Sequence, residues 1–199
     1  MSLQEIRQQA YNELDKLGYT KLFDNRPKDA IPPIWEDLWF LYQKVRERNP
    51  TSIIEYGSGC STIIISQAII DRKTPFLSIE SEEDWWNKTK NSMPETLKDV
   101  PHWCCGPTKE LEWFGKKCFS YLPWTYEDIG FMYVDGPELT DDIKITSNPI
   151  TLEKFFNNDF YMVVDGRPET VNFLEKHLKG KYDIQRNYVE NRTTFERIG

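Results

Sequence analysis

Residues 53–62 of the chain read IIEYGSGCST. The two β-branched residues indicate the end of a buried strand, which closes at Glu55. Gly57 and Gly59 allow a tight turn, and the Ser-Thr pair that follows is suited to begin a helix reaching about residue 70. A strand, a glycine turn and a helix N-terminus bring free backbone N–H groups together, which favours a ligand with a polar or anionic end.

Strands and helices alternate along the chain from residue 51. The predicted strands are 52–56, 75–80, 100–105, 131–135, 161–165, 182–189 and 192–198. Helices are predicted at 61–70, at 82–91, in a segment ending near 156, and at 168–178. Strands that alternate with helices pair in parallel, whereas the last two strands have a short connection and should form an antiparallel hairpin. We therefore predict an α/β fold with a doubly wound, mostly parallel seven-stranded sheet.

Two regions lie outside this alternation. Residues 1–50 carry two amphipathic helices, and we expect them to be an extension of the Rossmann-like domain at 51–199. The favoured role of these helices is to cover the sheet; the alternative is a lid with Trp35, Trp39 or Tyr42 pointing into a cleft. The other region is an insertion at 106–129, whose Trp113 and Trp124 either stack on a substrate or form a small core.

Composition and charge limit the possible classes of function. A chain of 199 residues suits one α/β domain with a modest appendage. The net charge of −7 and the lack of a long basic run argue against nucleic acid as a partner. No apolar run approaches the ~20 residues that span a bilayer, so no membrane is expected. Because the N-terminus does not resemble a signal peptide, we expect a cytoplasmic protein with reduced cysteines.

Four predicted strands end in an acidic residue. Glu55, Glu80, Asp135 and Asp165 close the strands at 52–56, 75–80, 131–135 and 161–165. The carboxyl ends of parallel strands share one edge of the sheet, where α/β proteins bind ligands. A buried carboxylate is costly without a partner. The four acids therefore indicate a binding site at this edge.

The spacing of these acids favours a cofactor that contains adenosine. Glu80 lies 25 residues after Glu55, at the strand end where a carboxylate can accept both ribose hydroxyls. Thr62 stands where the dinucleotide fingerprint has its third glycine, which argues against a pyrophosphate close to the helix. Glu55 suits a cationic group of the ligand, such as an amino group.

Together with Val134-Asp135-Gly136, these residues resemble the motifs of class I S-adenosylmethionine (SAM)-dependent methyltransferases over about residues 50–199. The resemblance implies SAM as cofactor and methyl transfer as activity. It places the glycine turn around the methionine part of SAM, Glu55 near its amino group directly or through water, and Glu80 on its ribose. The implied cofactor-binding residues are Glu55, Gly57, Ser58, Gly59, Ser61, Thr62, Glu80 and Ser81, of which Ser61 and Thr62 face the carboxylate and Ser81 the adenine. Of Trp85 and Trp86, one is expected in the core and the other beside the adenine.

Asp135 and Asp165 are the candidate catalytic residues. A carboxylate there can orient an acceptor hydroxyl or remove its proton. The pair could also hold Mg²⁺, as in metal-dependent O-methyltransferases of the catechol type. That family has Asn after the second Asp where this chain has Gly166, so Mg²⁺ is not favoured. Asp165 alternatively caps an Asp-Gly turn through backbone N–H groups, and Arg167 binds either an acidic substrate or a neighbouring carboxylate.

The sequence therefore predicts methyl transfer to a small-molecule or glycan-like acceptor at oxygen. One alternative is a methyltransferase-like domain that binds a ligand without catalysis. A second alternative, an NAD-dependent oxidoreductase, is disfavoured by Glu55, by Thr62 and by the terminal hairpin.

Overall fold

The computed structural model describes residues 1–122 and 125–198. Its strands are β1 (Ile53–Tyr56), β2 (Phe76–Glu80), β3 (His102–Cys105), β4 (Thr108–Trp113), β5 (Lys116–Tyr121), β6 (Ile129–Val134), β7 (Phe156–Asp165), β8 (Tyr182–Asn187) and β9 (Arg192–Arg197). Its α-helices are α1 (Leu3–Lys16), α2 (Trp35–Arg48), α3 (Cys60–Ile69), α4 (Glu83–Ser92), α5 (Asn148–Thr151) and α6 (Pro168–Leu178). Short 3-10 helices lie at Tyr19–Phe23, Glu95–Leu97 and Glu153–Phe155.

Seven strands form the central sheet in the order β3-β2-β1-β6-β7-β9-β8. The first five of these strands pair in parallel, and β9 runs antiparallel to both β7 and β8. The predicted α/β class, the seven-stranded sheet and the terminal hairpin are therefore confirmed. Successive strand residues point to opposite faces, so Ile53 packs with α2 and α3 on one face, and Ile54 packs with α6 on the other.

The N-terminal helices cover the face of the sheet that carries α3. Leu38, Leu41 and Val45 of α2 share a buried cluster with the isoleucines of α3. Trp35 packs edge-on against Phe23 at a centroid distance of 5.6 Å, and Trp39 stacks on Tyr42. The position of α2 fits the favoured role as a cover, and the division of the chain at residue 50 stays a prediction.

Between residues 106 and 161 the structure contains strand residues that the sequence did not predict. The insertion contains the hairpin β4–β5, a separate two-stranded sheet whose two-residue loop places Phe114 at φ 51° and Gly115 at φ 71°. These angles are those of a type I′ turn. The helix predicted to end near 156 is present as the four-residue α5 and the 3-10 helix Glu153–Phe155, and β7 begins at Phe156, five residues before the predicted start of that strand at 161. Trp113 ends β4, while Trp124 lies outside the described residues.

None of the helices in the described ranges combines the length and the apolar character that a bilayer crossing requires.

Candidate active site

A cavity of about 550 Å³ opens at the carboxyl ends of β1, β2, β6 and β7. Its volume is typical of a site for a small organic ligand. Seven of the ten predicted site residues line it: Gly57, Ser58, Gly59, Ser61, Glu80, Asp135 and Asp165. Residues between 26 and 41 of the N-terminal extension border the same cavity.

The two glycines of the turn have different roles. Gly57 has φ +88°, and a Cβ added to it would lie 2.8 Å from the backbone nitrogen of Gly136. The turn that follows β1 therefore packs backbone against backbone on the segment that follows β6. Gly59 has extended backbone with φ 168°, and no heavy atom lies within 4 Å of an added Cβ. Only Gly57 is required by close packing.

Glu80 holds the glycine turn in place from the end of β2. Its Oε2 accepts hydrogen bonds from the backbone nitrogen of Ser58 at 2.9 Å and from the Ser58 hydroxyl at 3.1 Å. Its Oε1 accepts from the backbone nitrogens of Ser81 at 2.7 Å and of Glu82 at 3.1 Å. Hydrogen bonds to a carboxylate are stronger than neutral ones. The carboxylate is thus fixed at the edge of the cavity, and Ser81 contributes through its backbone.

Glu55 and Thr62 lie beneath the turn rather than in the cavity. Glu55 is fully buried, and its Oε2 accepts hydrogen bonds from the hydroxyls of Thr62 and Ser78, both at 2.6 Å. The Thr62 oxygen in turn accepts from the backbone nitrogen of Gly59 at 3.0 Å. Burial raises the pKa of Glu55 to about 7, against the hydrogen bonds that favour its charged form. Thr62, which stands where the dinucleotide fingerprint has its third glycine, therefore links the turn to β1 by hydrogen bonds. The sequence did not predict this role.

Asp135 and Asp165 both line the cavity, and the charge of Asp165 acts on Asp135. The surrounding protein and the charge of Asp165 raise the pKa of Asp135 to about 7, while Arg167 opposes this rise. Water in the cavity still reaches Asp135, because 54% of its side chain is exposed. Burial also raises the pKa of Asp165, whose Oδ2 accepts a hydrogen bond from the Tyr133 hydroxyl at 2.8 Å. Among residues 1–122 and 125–198, the Asp165 carboxylate accepts this hydrogen bond from Tyr133 and none from the backbone N–H groups of an Asp-Gly turn.

Arg167 borders the cavity next to Asp135. Arg167 is 8% exposed and donates to the carbonyls of Pro137, at 2.8 Å, and Asp135. It also lies 3.8 Å from the Asp135 carboxylate, so it binds a neighbouring carboxylate, as one alternative predicted.

Asp37 of α2 was not predicted as a site residue. It is 8% exposed and pairs with Arg192 at 2.8 Å, while burial and the charge of Asp165 raise its pKa to about 7. The sequence did contain a signal for Asp37: it is an acidic residue on the face of α2 that otherwise carries Leu38 and Leu41.

One of the two adjacent tryptophans lines the cavity. Trp85 is in its wall and donates from its indole nitrogen to the carbonyl of Ser58 at 2.7 Å. Trp86 instead lies under Lys90, whose nitrogen is 4.7 Å from the ring centroid. Trp85 is therefore the residue positioned to contact a bound ligand.

Within residues 1–122 and 125–198, no set of three or more His, Cys, Asp or Glu side chains is arranged to hold a metal ion. That Mg²⁺ is not favoured at Asp135 and Asp165 stays a prediction.

The chain matches no protein-family model and no curated protein significantly, but its fold is found among solved structures. An O-methyltransferase from Bacillus cereus in complex with S-adenosylhomocysteine (SAH) superposes with a TM-score of 0.60 at 14% identity, covering 98% of this chain and 90% of that chain. An O-methyltransferase from Streptomyces achromogenes, involved in tomaymycin synthesis and in complex with SAM, gives 0.59 at 15% identity, covering 99% and 89%. A putative RNA methyltransferase from Pyrococcus horikoshii gives 0.53 at 12% identity, covering 87% and 92%.

These superpositions extend over most of both chains, and identities of this size establish the fold alone. The chain has the class I, Rossmann-like fold of SAM-dependent methyltransferases.

Proposed function

We propose that the protein is a SAM-dependent methyltransferase that acts on a small-molecule or glycan-like acceptor at oxygen. The observation that carries this proposal is the arrangement of Glu80. Its carboxylate is fixed against the glycine turn at the edge of a cavity of about 550 Å³. The fold supports the same cofactor, since solved structures of this fold contain SAM or SAH.

The residues present suit the parts of SAM. Glu80 would accept hydrogen bonds from the ribose hydroxyls, because a carboxylate at the second strand end faces that position. The indole of Trp85 would lie beside the adenine, and the turn from Gly57 to Ser61 would surround the methionine part. Glu55 and Thr62 would act indirectly, by holding the turn. When bound, SAM supplies an electrophilic methyl group on a sulfonium.

Ligand-dependent stability tests the cofactor. We expect SAM or SAH to raise the melting temperature and NAD to leave it unchanged, because a ligand that binds only the folded state stabilises it by about 2.7 kcal/mol at 100 times its Kd. A thermal-shift assay measures both effects under the same conditions. A shift with NAD and none with SAM or SAH would favour the oxidoreductase and overturn the proposal.

The other side of the cavity suits an acceptor hydroxyl. Asp135 would take the proton of that hydroxyl or orient it, and Arg167 would hold Asp135 by its contact with the carboxylate and the adjacent carbonyls. Asp165 would lie on the same side of the cavity, where the Tyr133 hydroxyl fixes it.

The charge of the cavity favours neutral or cationic acceptors. Six carboxylates but only two guanidinium groups line it: Asp37, Glu80, Glu82, Asp135, Glu138 and Asp165, with Arg26 and Arg167. Like charges repel, so a phosphate-rich acceptor is disfavoured here. RNA is a polyanion. An RNA acceptor, as the name of the putative RNA methyltransferase from Pyrococcus horikoshii implies for that protein, would therefore fit this cavity poorly.

Replacing Asp135 should separate binding from turnover. We expect Asp135→Asn to keep the SAH affinity within about threefold and to lower methyl transfer by roughly 10²–10⁴-fold, the usual contribution of a general base. In the wild type, Asp135 holds a proton below its pKa of about 7, so turnover should rise as the pH rises through 7. The variant should lose this rise. SAH release with a panel of hydroxylated small molecules measures turnover, and calorimetry measures affinity.

Asp142→Asn is the control. Asp142 is an exposed acid of the loop that also carries Asp135, so its replacement likewise removes one negative charge. It should match the wild type in turnover and in pH profile. Wild-type turnover by Asp135→Asn would remove Asp135 from the proposed mechanism. Tight SAH binding by the wild type with no turnover of any acceptor would favour the ligand-binding alternative.

A further inference from the structure

The segment before α2 brings a guanidinium group to the cavity. Arg26 lines the cavity together with Ala30 and Ile31. Its Nη1 donates to the carbonyl of Ala30 at 2.8 Å and to that of Ile31 at 2.9 Å. The loop thus holds the guanidinium by one nitrogen, and within the described part of the chain Nε and Nη2 donate no hydrogen bond.

The charge of Arg26 has no carboxylate partner among the described residues. Arg167 lies 3.8 Å from the Asp135 carboxylate and Arg192 pairs with Asp37 at 2.8 Å, whereas the ion pairs of the described ranges do not include Arg26. A half-buried guanidinium with free N–H groups in a cavity suits an anionic group of a ligand, since its planar fork matches a carboxylate.

The position of Arg26 along the cavity indicates which part of the ligand it meets. Cys60, the first residue of α3, lines the same cavity. Burial raises the pKa of its thiol to about 11, and the nearby charge of Arg26 opposes the rise. Arg26 therefore borders the same cavity as the glycine turn and the first residue of α3, whereas Arg167 contacts the Asp135 carboxylate.

We propose that Arg26 binds the carboxylate of the methionine part of SAM and SAH. The proposal rests on the proposed function, because it takes SAM as the ligand of the cavity. The carboxylate is the one anionic group of SAM, and the glycine turn surrounds the methionine part. The N-terminal extension then contributes a cofactor ligand as well as covering the sheet.

The experiment compares two ligands of which only one carries this carboxylate. SAH carries the whole amino acid, whereas 5′-methylthioadenosine keeps the adenosine and the thioether but lacks the amino acid. By calorimetry, we expect Arg26→Gln to weaken SAH binding by about 10- to 100-fold, the usual effect of losing a hydrogen-bonded charge. Its affinity for 5′-methylthioadenosine should stay within about twofold of the wild type.

Lys28→Gln is the matched control, because Lys28 is an exposed cation of the same loop that does not line the cavity. It should bind both ligands as the wild type does. An equal loss of both ligands in Arg26→Gln would mean that Arg26 acts by holding its loop, and an unchanged SAH affinity would mean that it meets no carboxylate; either result overturns the proposal. If the wild type itself does not bind SAH, the proposed function fails and this inference fails with it.

Discussion

Gly57→Ala is expected to lower the free energy of unfolding by about 3 kcal/mol or more. The added Cβ would lie 2.8 Å from the backbone nitrogen of Gly136 and 3.0 Å from the carbonyl carbon of Asp135. Neither contact is with a side chain that can rotate away, so the two loops must separate. Alanine also disfavours the φ of +88° at this position. Urea unfolding followed by circular dichroism measures the change.

Gly59→Ala is the matched control two residues later in the same turn. No heavy atom lies within 4 Å of the added Cβ, and the φ of 168° is extended backbone. Its free energy of unfolding should therefore stay within about 0.5 kcal/mol of the wild type. Equal destabilisation by the two substitutions would contradict the assignment of the close approach to Gly57.

Glu80→Ala is expected to weaken SAH binding at least about 100-fold. The substitution removes the proposed partner of the ribose hydroxyls. It also removes the acceptor for the backbone nitrogens of Ser58 and Ser81, at 2.9 and 2.7 Å. Each hydrogen bond to a charged group is worth about 1.5–3 kcal/mol, so both losses act on affinity. Calorimetry with SAH measures the effect.

Glu83→Ala is the control, because Glu83 is an exposed acid three residues later that does not line the cavity. It should bind SAH as the wild type does. Urea unfolding of Glu80→Ala without ligand shows how far the substitution destabilises the fold itself. Wild-type affinity in Glu80→Ala would make the ribose assignment wrong.

Local patterns in the sequence were enough to predict most of the sheet. The β-branched strand before Gly57 and the short connection before β9 each depend on neighbouring residues, so pattern and turn chemistry predict them. The hairpin β4–β5 was missed because its turn places Phe114, a residue without a turn preference, at φ 51°. The start of β7 was missed because it depends on packing in the core, where the rings of Phe156 and Phe160 stack with their centroids 3.6 Å apart. This packing overrides the local pattern.

The sequence by itself determined the class of fold, the glycine turn and the row of acidic strand ends, because periodicity and turn residues act over a few neighbouring positions. Only the tertiary structure decided which of those acids enter the cavity. Glu55 lies beneath the turn, one residue before β1 ends at Tyr56, whereas Glu80 ends β2 and lies at the cavity edge. The structure also brought Asp37 to the site, where it pairs with Arg192 across 155 residues of sequence. Contacts of that separation depend on how whole helices and sheets pack, and no local pattern encodes them.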